Sequence, residues 1–471
     1  MVKGKYEELL KNTGILTIGN LSTKILIFLL VPIYTSSLST TDYGFYDLTI
    51  STVQLLFPIF SLNIVDSVLR FILDRQSTVS DIYCVSNKII KGSCIISFIL
   101  ICGLSLFDFC GDLRRYVLVL SVYYVLYSYN SFYLQVAQGV NQVKTVAAAG
   151  ILGAATLFGS TAIFLLWLDW GLMGFYIANM LGQAIPVVYY FFKLKTWQYK
   201  KVSFYQLQST QRKMLQYSVP LIVNTVCWWV NSASDKYVVA ILCDVSVNGI
   251  LSVAYKIPNI LSTLTGIFMQ AWQISAIKEY EDGKDRTFYN QTFAYLNMLV
   301  CIFTVLCILM TKVIARYLFQ ADFYVAWKFV PMLLISSMFN ASSGYIAPIL
   351  NASYNTKNVA KSGLYGMSAN IILNIFFTYL FGPQGITIAT MMSSFLIFYI
   401  RKKALKGLLN DTKYKKVICS WFVIVIHSVI YVNTNMVWIN IILTILICVL
   451  YAQEISQLLK SVKKRIASGR T

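Results

Sequence analysis

The chain has 471 residues, a mean hydropathy of +0.65, 57% hydrophobic residues and only 12% charged ones. Soluble globular proteins carry about 25% charged residues, so a string of soluble domains is excluded. Apolar runs of about 20 residues recur throughout, which is the pattern of a polytopic helical membrane protein. The formal charge of +20 then reads as basic loops on one face of a membrane, not as a nucleic-acid footprint.

The chain opens with the polar stretch MVKGKYEELLKN. The apolar run after it is full spanning length and has no small-residue cleavage site, so it predicts an uncleaved first span. Fourteen spans are predicted, over 13–34, 43–68, 88–107, 115–136, 146–168, 170–192, 214–236, 247–273, 291–313, 327–350, 361–381, 384–400, 417–433 and 436–453. With a cytoplasmic N-terminus, 31 of the 39 Lys and Arg residues fall on cytoplasmic segments and 6 on outside loops. The other two, Lys24 and Lys256, lie inside spans. This alternation predicts an even number of spans with both termini cytoplasmic. The connections are short, the longest running from Lys193 to Lys213. The ten cysteines form no C-x-x-C pair and are expected to be free buried thiols.

The sequence repeats itself. KTVAAAGILG (144–153) matches KNVAKSGLYG (357–366) at an offset of 213 residues, and GFYIANM (174–180) matches GITIATM (385–391) at 211. Asn20, Lys24 and Gly44 fall opposite Asn224, Trp228 and Gly249. The unit is six spans, an even number, so the two halves are parallel repeats, and secondary transporters often bind substrate between such halves. The expected domains are a lobe over 1–203, a second over 204–410, and two extra spans with a basic tail over 411–471.

Polar faces run inside the spans. In span 1, Thr13, Thr17, Asn20 and Lys24 share one face. In span 7, Asn224, Trp228, Asn231 and Asp235 repeat the spacing. Span 8 carries Ser252, Tyr255, Lys256, Asn259 and Thr263. Span 2 adds Ser51, Gln54, Asn63, Asp66 and, near its end, Arg70. These faces are expected to line a wet cavity. Lys24 lies about 16 Å into its span and Lys256 about 14 Å into its own. A lysine at mid-bilayer costs about 2.5–3.5 kcal/mol on the insertion scale, so each needs an anionic partner. Either Asp66 or Asp235 supplies it, or the substrate does. A lysine suits a phosphate as a point charge with three donors. Asp66 and Asp235 read as charge partners or as proton or sodium sites. His427 reads as a satisfied buried side chain. The aromatic run YYVLYSY (123–129) reads as packing or belt before it reads as a sugar path.

No G-x-x-x-x-G-K-[ST] motif occurs, and a single histidine excludes a two-histidine zinc motif. No exposed loop clusters acids to hold a metal–sugar-nucleotide complex. Neither an enzymatic activity nor a bound cofactor or metal is expected, and no nucleic-acid partner.

Four stretches resemble the bacterial polysaccharide transporters, the O-antigen and capsule repeat-unit flippases of the multidrug/oligosaccharidyl-lipid/polysaccharide exporter superfamily. They are VPIYTSSLSTTDYGFYDL (31–48), SLNIVDSVLRF (61–71), SVNGILSVAYKIPNIL (246–261) and LNASYNTKNVAKSGLYG (350–366). The resemblance covers roughly 1–410. It implies an all-α fold of two six-helix lobes working by alternating access in the bacterial inner membrane. It implies a substrate of a few sugars linked through diphosphate to undecaprenol, with membrane lipid and a polysaccharide polymerase as partners. The family's lipid II flippases keep cations on the first, second and eighth helices. Lys24, Arg70 and Lys256 are the matching candidates, Arg70 lying near the end of its span. Asn20, Asn224, Asn231 and Asn259 are expected beside them. Drug-exporting relatives use an acid in the first helix, which this chain lacks. The resemblance leaves the coupling ion open: a proton or sodium gradient is one driving force, with Asp66 and Asp235 as its ion sites or else as charge partners.

Overall fold

The computed structural model describes residues 19–74, 77–104, 116–199, 204–282, 286–353, 355–405, 412–434 and 436–457, with 14, 17, 409 and 460. Every regular element among them is helical. In chain order they are α1 (Gly19–Ser37), α2 (Thr40–Phe60), α3 (Ile64–Asp74), α4 (Val79–Leu104), α5 (Val117–Gly139), α6 (Val143–Trp167), α7 (Gly171–Lys193), α8 (Phe204–Leu242), α9 (Val245–Ala254), α10 (Lys256–Asp282), α11 (Arg286–Leu318), α12 (Val330–Ala352), α13 (Thr356–Phe381), α14 (Gln384–Ala404), α15 (Thr412–Asn433) and α16 (Val437–Leu450).

Ten helices among the described residues are long and apolar enough to cross a membrane, and the bent pair α2–α3 makes an eleventh. The long α8, α14 and the shorter apolar α16 occupy the other three expected spans. The protein is an all-α polytopic membrane protein.

Two predicted spans are broken where continuous helices are expected. Span 2 is interrupted at residues 61–63, and α3 leaves α2 at 56°. Pro58 lies in the last turn of α2, and Leu62 and Asn63 both take left-handed backbone, with φ of 52° and 50°. A helix cannot pass through two such residues. Span 8 is interrupted at Tyr255, between α9 and α10. Pro258, in the first turn of α10, has no N–H to return to the Ala254 carbonyl.

The chain forms two compact units, Met1–Ser234 and Asp235–Thr471. The division falls inside α8, later than the sequence period's 203/204, because the first part of α8 is tied to the α2–α3 bend. Trp229 donates its indole N–H to the Ser51 carbonyl at 3.0 Å, and the Asn63 amide lies 3.4 Å from the Thr225 hydroxyl.

In the first unit α6 packs along α7, and α5 against α7 and α3. Tyr123, Tyr124, Phe132 and Tyr133 of α5 are buried in its core with Phe57 and Val68, so the YYVLYSY run is largely packing. In the second unit α13 and α12 both pack on α14, and α11 packs on α12, α15 and α16. The nine described cysteines are free. His427 is fully buried as expected, but neither ring nitrogen has a hydrogen-bond partner, so it is not satisfied.

The repeat is visible in paired contacts within each unit. Gly153 of α6 sits against Pro186 of α7, and Gly366 of α13 sits against Ile397 of α14. Gly174 of α7 faces Phe164, and Gly385 of α14 faces Phe377. Each pair of contacts is related by the offsets 213 and 211 found in the sequence. Both helix hairpins therefore close at the same two small residues, where the missing side chain lets backbones approach.

Candidate functional site

In the first unit, α1 turns its small face to α6. Gly19 lies beside Ala147, and Thr23 lies beside Gly150 while returning its hydroxyl to the Gly19 carbonyl at 2.8 Å. That seats α1 by residues 19 and 23 and leaves Asn20 and Lys24 exposed. Thr17 is half-buried, and Thr13 lies outside the described residues. Lys24 is thus an accessible cation on an apolar helix.

Asp66 and Arg70 are both exposed and stand four residues apart on α3, so they share a face. Arg70 does not end a long span, as expected from sequence, but lies in the middle of an eleven-residue amphipathic helix. Asp66 occupies the first turn of α3, where a carboxylate complements the helix dipole. It accepts the Asn63 amide at 2.8 Å. Asp66 therefore fixes the bend, and through it the direction in which Arg70 projects. Asn224 is exposed on α8, beside the Thr225 that meets this bend. The side chains of Trp228 and Asn231 lie outside the described residues.

In the second unit, Lys256 is the first residue of α10, at the break, and is half-buried, while Asn259 one turn on is exposed. A cation at a helix N-terminus opposes the dipole.

Asp235 is 4% exposed and sits in a polar knot that sequence reading only half anticipated. Its Oδ1 accepts the Asn374 amide at 2.6 Å, and its Oδ2 accepts the Tyr255 hydroxyl at 2.6 Å and the Thr390 hydroxyl at 2.8 Å. Asn374 also donates to Asn370 at 3.0 Å, and the Asn370 amide lies 3.3 Å from Ser393. Asn374 Oδ1 is buried with no donor facing it. The i, i+4 pair Asn370/Asn374 within the apolar run of α13 was the available sequence signal. The Asp235 carboxylate thus accepts three donors, while the buried Asn374 Oδ1 has no hydrogen-bond partner.

A family described as polysaccharide biosynthesis protein matches residues 9–273, more than half of the chain. None of the curated proteins matches in sequence. Among solved structures, the lipid II flippase MurJ in an inward closed conformation is similar with a TM-score of 0.70 at 16% identity, covering 94% of this chain and 99% of that one. An inward-facing multidrug resistance MATE family transporter of the MOP superfamily has a TM-score of 0.60 at 13% identity, covering 84% and 99%. A MOP superfamily transporter from Pyrococcus furiosus has a TM-score of 0.53 at 12% identity, covering 85% and 96%. At such identities the likeness is one of fold.

Proposed function

Because this chain belongs to the polysaccharide biosynthesis protein family, we propose that it is a flippase carrying undecaprenyl-diphosphate-linked oligosaccharide repeat units, of O-antigen or capsule, to the outer leaflet of the bacterial inner membrane. The observation that carries this reading is Lys24, an accessible ammonium on a helix otherwise built for lipid. A membrane helix tolerates such a charge where it meets water or an anionic ligand. Lys24, Lys256 and Arg70 are the cations for the diphosphate, and Asn20, Asn224, Asn231 and Asn259 are amide partners for the sugars. Transport runs by alternating access, and binding by single lysines keeps the product releasable. Both termini are cytoplasmic, and the flipped unit passes to a polymerase outside. The protein itself forms or breaks no glycosidic bond.

Asp235 is the seat of coupling to a sodium or proton gradient. Its carboxylate and the orphaned Asn374 Oδ1 are buried together in the second unit. Asp66 is the lesser candidate, since its carboxylate is exposed and engaged at a bend.

The test is a flip assay in proteoliposomes loaded with the lipid-linked repeat unit and treated with an external glycan-cleaving enzyme. Wild type is expected to expose nearly all of the lipid, Lys24→Arg part of it, and Lys24→Ala only the outer-leaflet half. Equal flipping by wild type and Lys24→Ala would remove Lys24 from the reading. Flipping of lipid II in preference to the repeat unit would favour a lipid II precursor flippase, the reading closest to the similar solved flippase.

A further inference from the structure

The C-terminal end of α11 carries a pocket that the transport reading does not use. It has a volume of ≈ 630 Å³ and is lined by Lys312, Val313, Arg316, Tyr317 and Tyr324. None of the five is acidic. Lys312 and Arg316 are four residues apart and share a helix face.

Lys312 is not a freely snorkelling surface lysine. Its Nζ lies 4.5 Å from the centroid of the Trp327 ring and 5.3 Å from that of Tyr431, both within the roughly 6 Å reach of cation–π attraction. The Tyr431 hydroxyl accepts the Lys312 backbone N–H at 3.0 Å and donates to the Leu309 carbonyl at 3.3 Å. Both rings are buried. A fixed ammonium therefore stands beside an exposed guanidinium, and the exposed phenols of Tyr317 and Tyr324 complete the rim.

An apolar track leads to this pocket. Leu299, Leu306, Met310, Val313 and Tyr317 follow spacings of 7, 4, 3 and 4 on α11, and all are exposed. They form one stripe on the side of α11 not packed by α12, α15 and α16. From Leu299 to Val313 the stripe rises about 21 Å, more than the roughly 15 Å of one leaflet's hydrocarbon.

We propose that this pocket binds the phosphate of an anionic membrane lipid. Lys312 and Arg316 hold the phosphate, the two phenols hydrogen-bond the headgroup, and the lipid chains lie along the stripe. The guanidinium fork suits phosphate oxygens. Lipid-facing helices otherwise avoid charge at the hydrocarbon boundary unless a headgroup meets it. The site stands whether or not the chain is a flippase. With the cytoplasmic termini proposed above, the C-terminal end of α11 lies at the outer leaflet, and that placement alone rests on the proposed topology.

The experiment is native mass spectrometry of the full chain in detergent. Dioleoyl phosphatidylglycerol, dioleoyl phosphatidylcholine, farnesyl diphosphate and glycerol 3-phosphate are the probes. Phosphatidylglycerol is expected to be retained at one site and phosphatidylcholine at least tenfold more weakly. Arg316→Gln is expected to weaken retention several-fold, and the Lys312→Gln/Arg316→Gln pair more than tenfold, with the thermal midpoint checked for each. Displacement of phosphatidylglycerol by farnesyl diphosphate would support the site and assign it to prenyl phosphates. The proposal is lost if glycerol 3-phosphate displaces phosphatidylglycerol as well as farnesyl diphosphate does. It is equally lost if phosphatidylcholine is retained as tightly, or if Arg316→Gln, in which the packed Lys312 is untouched, leaves retention unchanged.

Discussion

Gly153 of α6 faces Pro186 of α7 so closely that a methyl group on Gly153 would come within 2.7 Å of Pro186 Cγ and 2.8 Å of the Gly182 carbonyl oxygen. In the other unit Gly366 of α13 faces Ile397 of α14 in the same way. Residues 153 and 366 end the two copies of one sequence motif, and 186 and 397 are related by the second offset. The repeat is thus a repeat of helix crossings.

Alanine at Gly153 or Gly366 is expected to lower stability by about 1–3 kcal/mol, the usual cost of overpacking. Alanine at Gly159, where nothing lies within 4 Å, or at Gly363, equally open, is expected to be neutral or slightly stabilising. Thermal unfolding of the four variants in one detergent checks this. Equal midpoints for all four would mean that the crossings tolerate a wider spacing.

The six-span period was legible because close helix crossings demand small residues, and small residues at fixed spacing stand out in an apolar sequence. The breaks at residues 61–63 and Tyr255 were not legible. Pro58 and Pro258 were visible, but membrane helices often carry proline without breaking. The left-handed turn at Leu62 and Asn63 depends on Asn63 finding Asp66 and Thr225, and Thr225 is 162 residues away. The sequence marks Asp235 as a charge partner or an ion site on span 7, but not its actual partners: its burial depends on Asn374 and Thr390, from helices that close over it only in the fold. At the first-half offsets, Asp235 falls opposite Val31, Asn374 opposite Thr161 and Thr390 opposite Asn179. The acid is therefore a departure from the repeat.

Asn63 holds the α2–α3 bend by two means, its backbone and its amide. Asn63→Val forces a β-branched residue to a φ of 50° and removes the amide, and should cost more than 2 kcal/mol. Asn63→Gly relieves the backbone and loses only the hydrogen bonds, about 1 kcal/mol. A valine variant no less stable than the glycine variant would show that the left-handed turn carries no strain.

Asp244 caps α9 by accepting the Ser246 N–H at 2.7 Å. That bond and the Ser246 hydroxyl hold its carboxyl below the usual carboxylate range. A depressed folded value means the cap contributes at pH above the unfolded value and is lost as pH falls through the folded one. Asp244→Ala should cost about 1 kcal/mol at neutral pH. The gap to wild type should narrow in acid, and the difference between wild type and Asp244→Asn should shift by the same amount, since only the wild-type carboxyl titrates at this position. Thermal midpoints across the acid range decide it, and a gap that widens as pH falls would contradict the cap.

Asp235 is where the transport reading makes its sharpest demand on the structure. Removing the side chain in Asp235→Ala leaves the Tyr255 hydroxyl without its acceptor and takes one acceptor each from the Asn374 amide, which still reaches Asn370 Oδ1 at 3.0 Å, and from Thr390, which still reaches the Ile386 carbonyl at 2.9 Å. The expected cost is about 3 kcal/mol. Asp235→Asn keeps the shape and one acceptor oxygen, the two hydroxyl partners can rotate, and the fold should survive with a smaller loss. A cation bound at this knot stabilises the folded chain by mass action, about 2.7 kcal/mol at a hundred times its dissociation constant. Sodium, with potassium as control, is expected to raise the wild-type thermal midpoint, and the rise should vanish in Asp235→Asn together with gradient-driven flipping. A rise that persists in Asp235→Asn places the coupling site elsewhere. No rise with sodium removes a sodium site from the knot and leaves Asp235 a carboxylate held by Tyr255, Asn374 and Thr390.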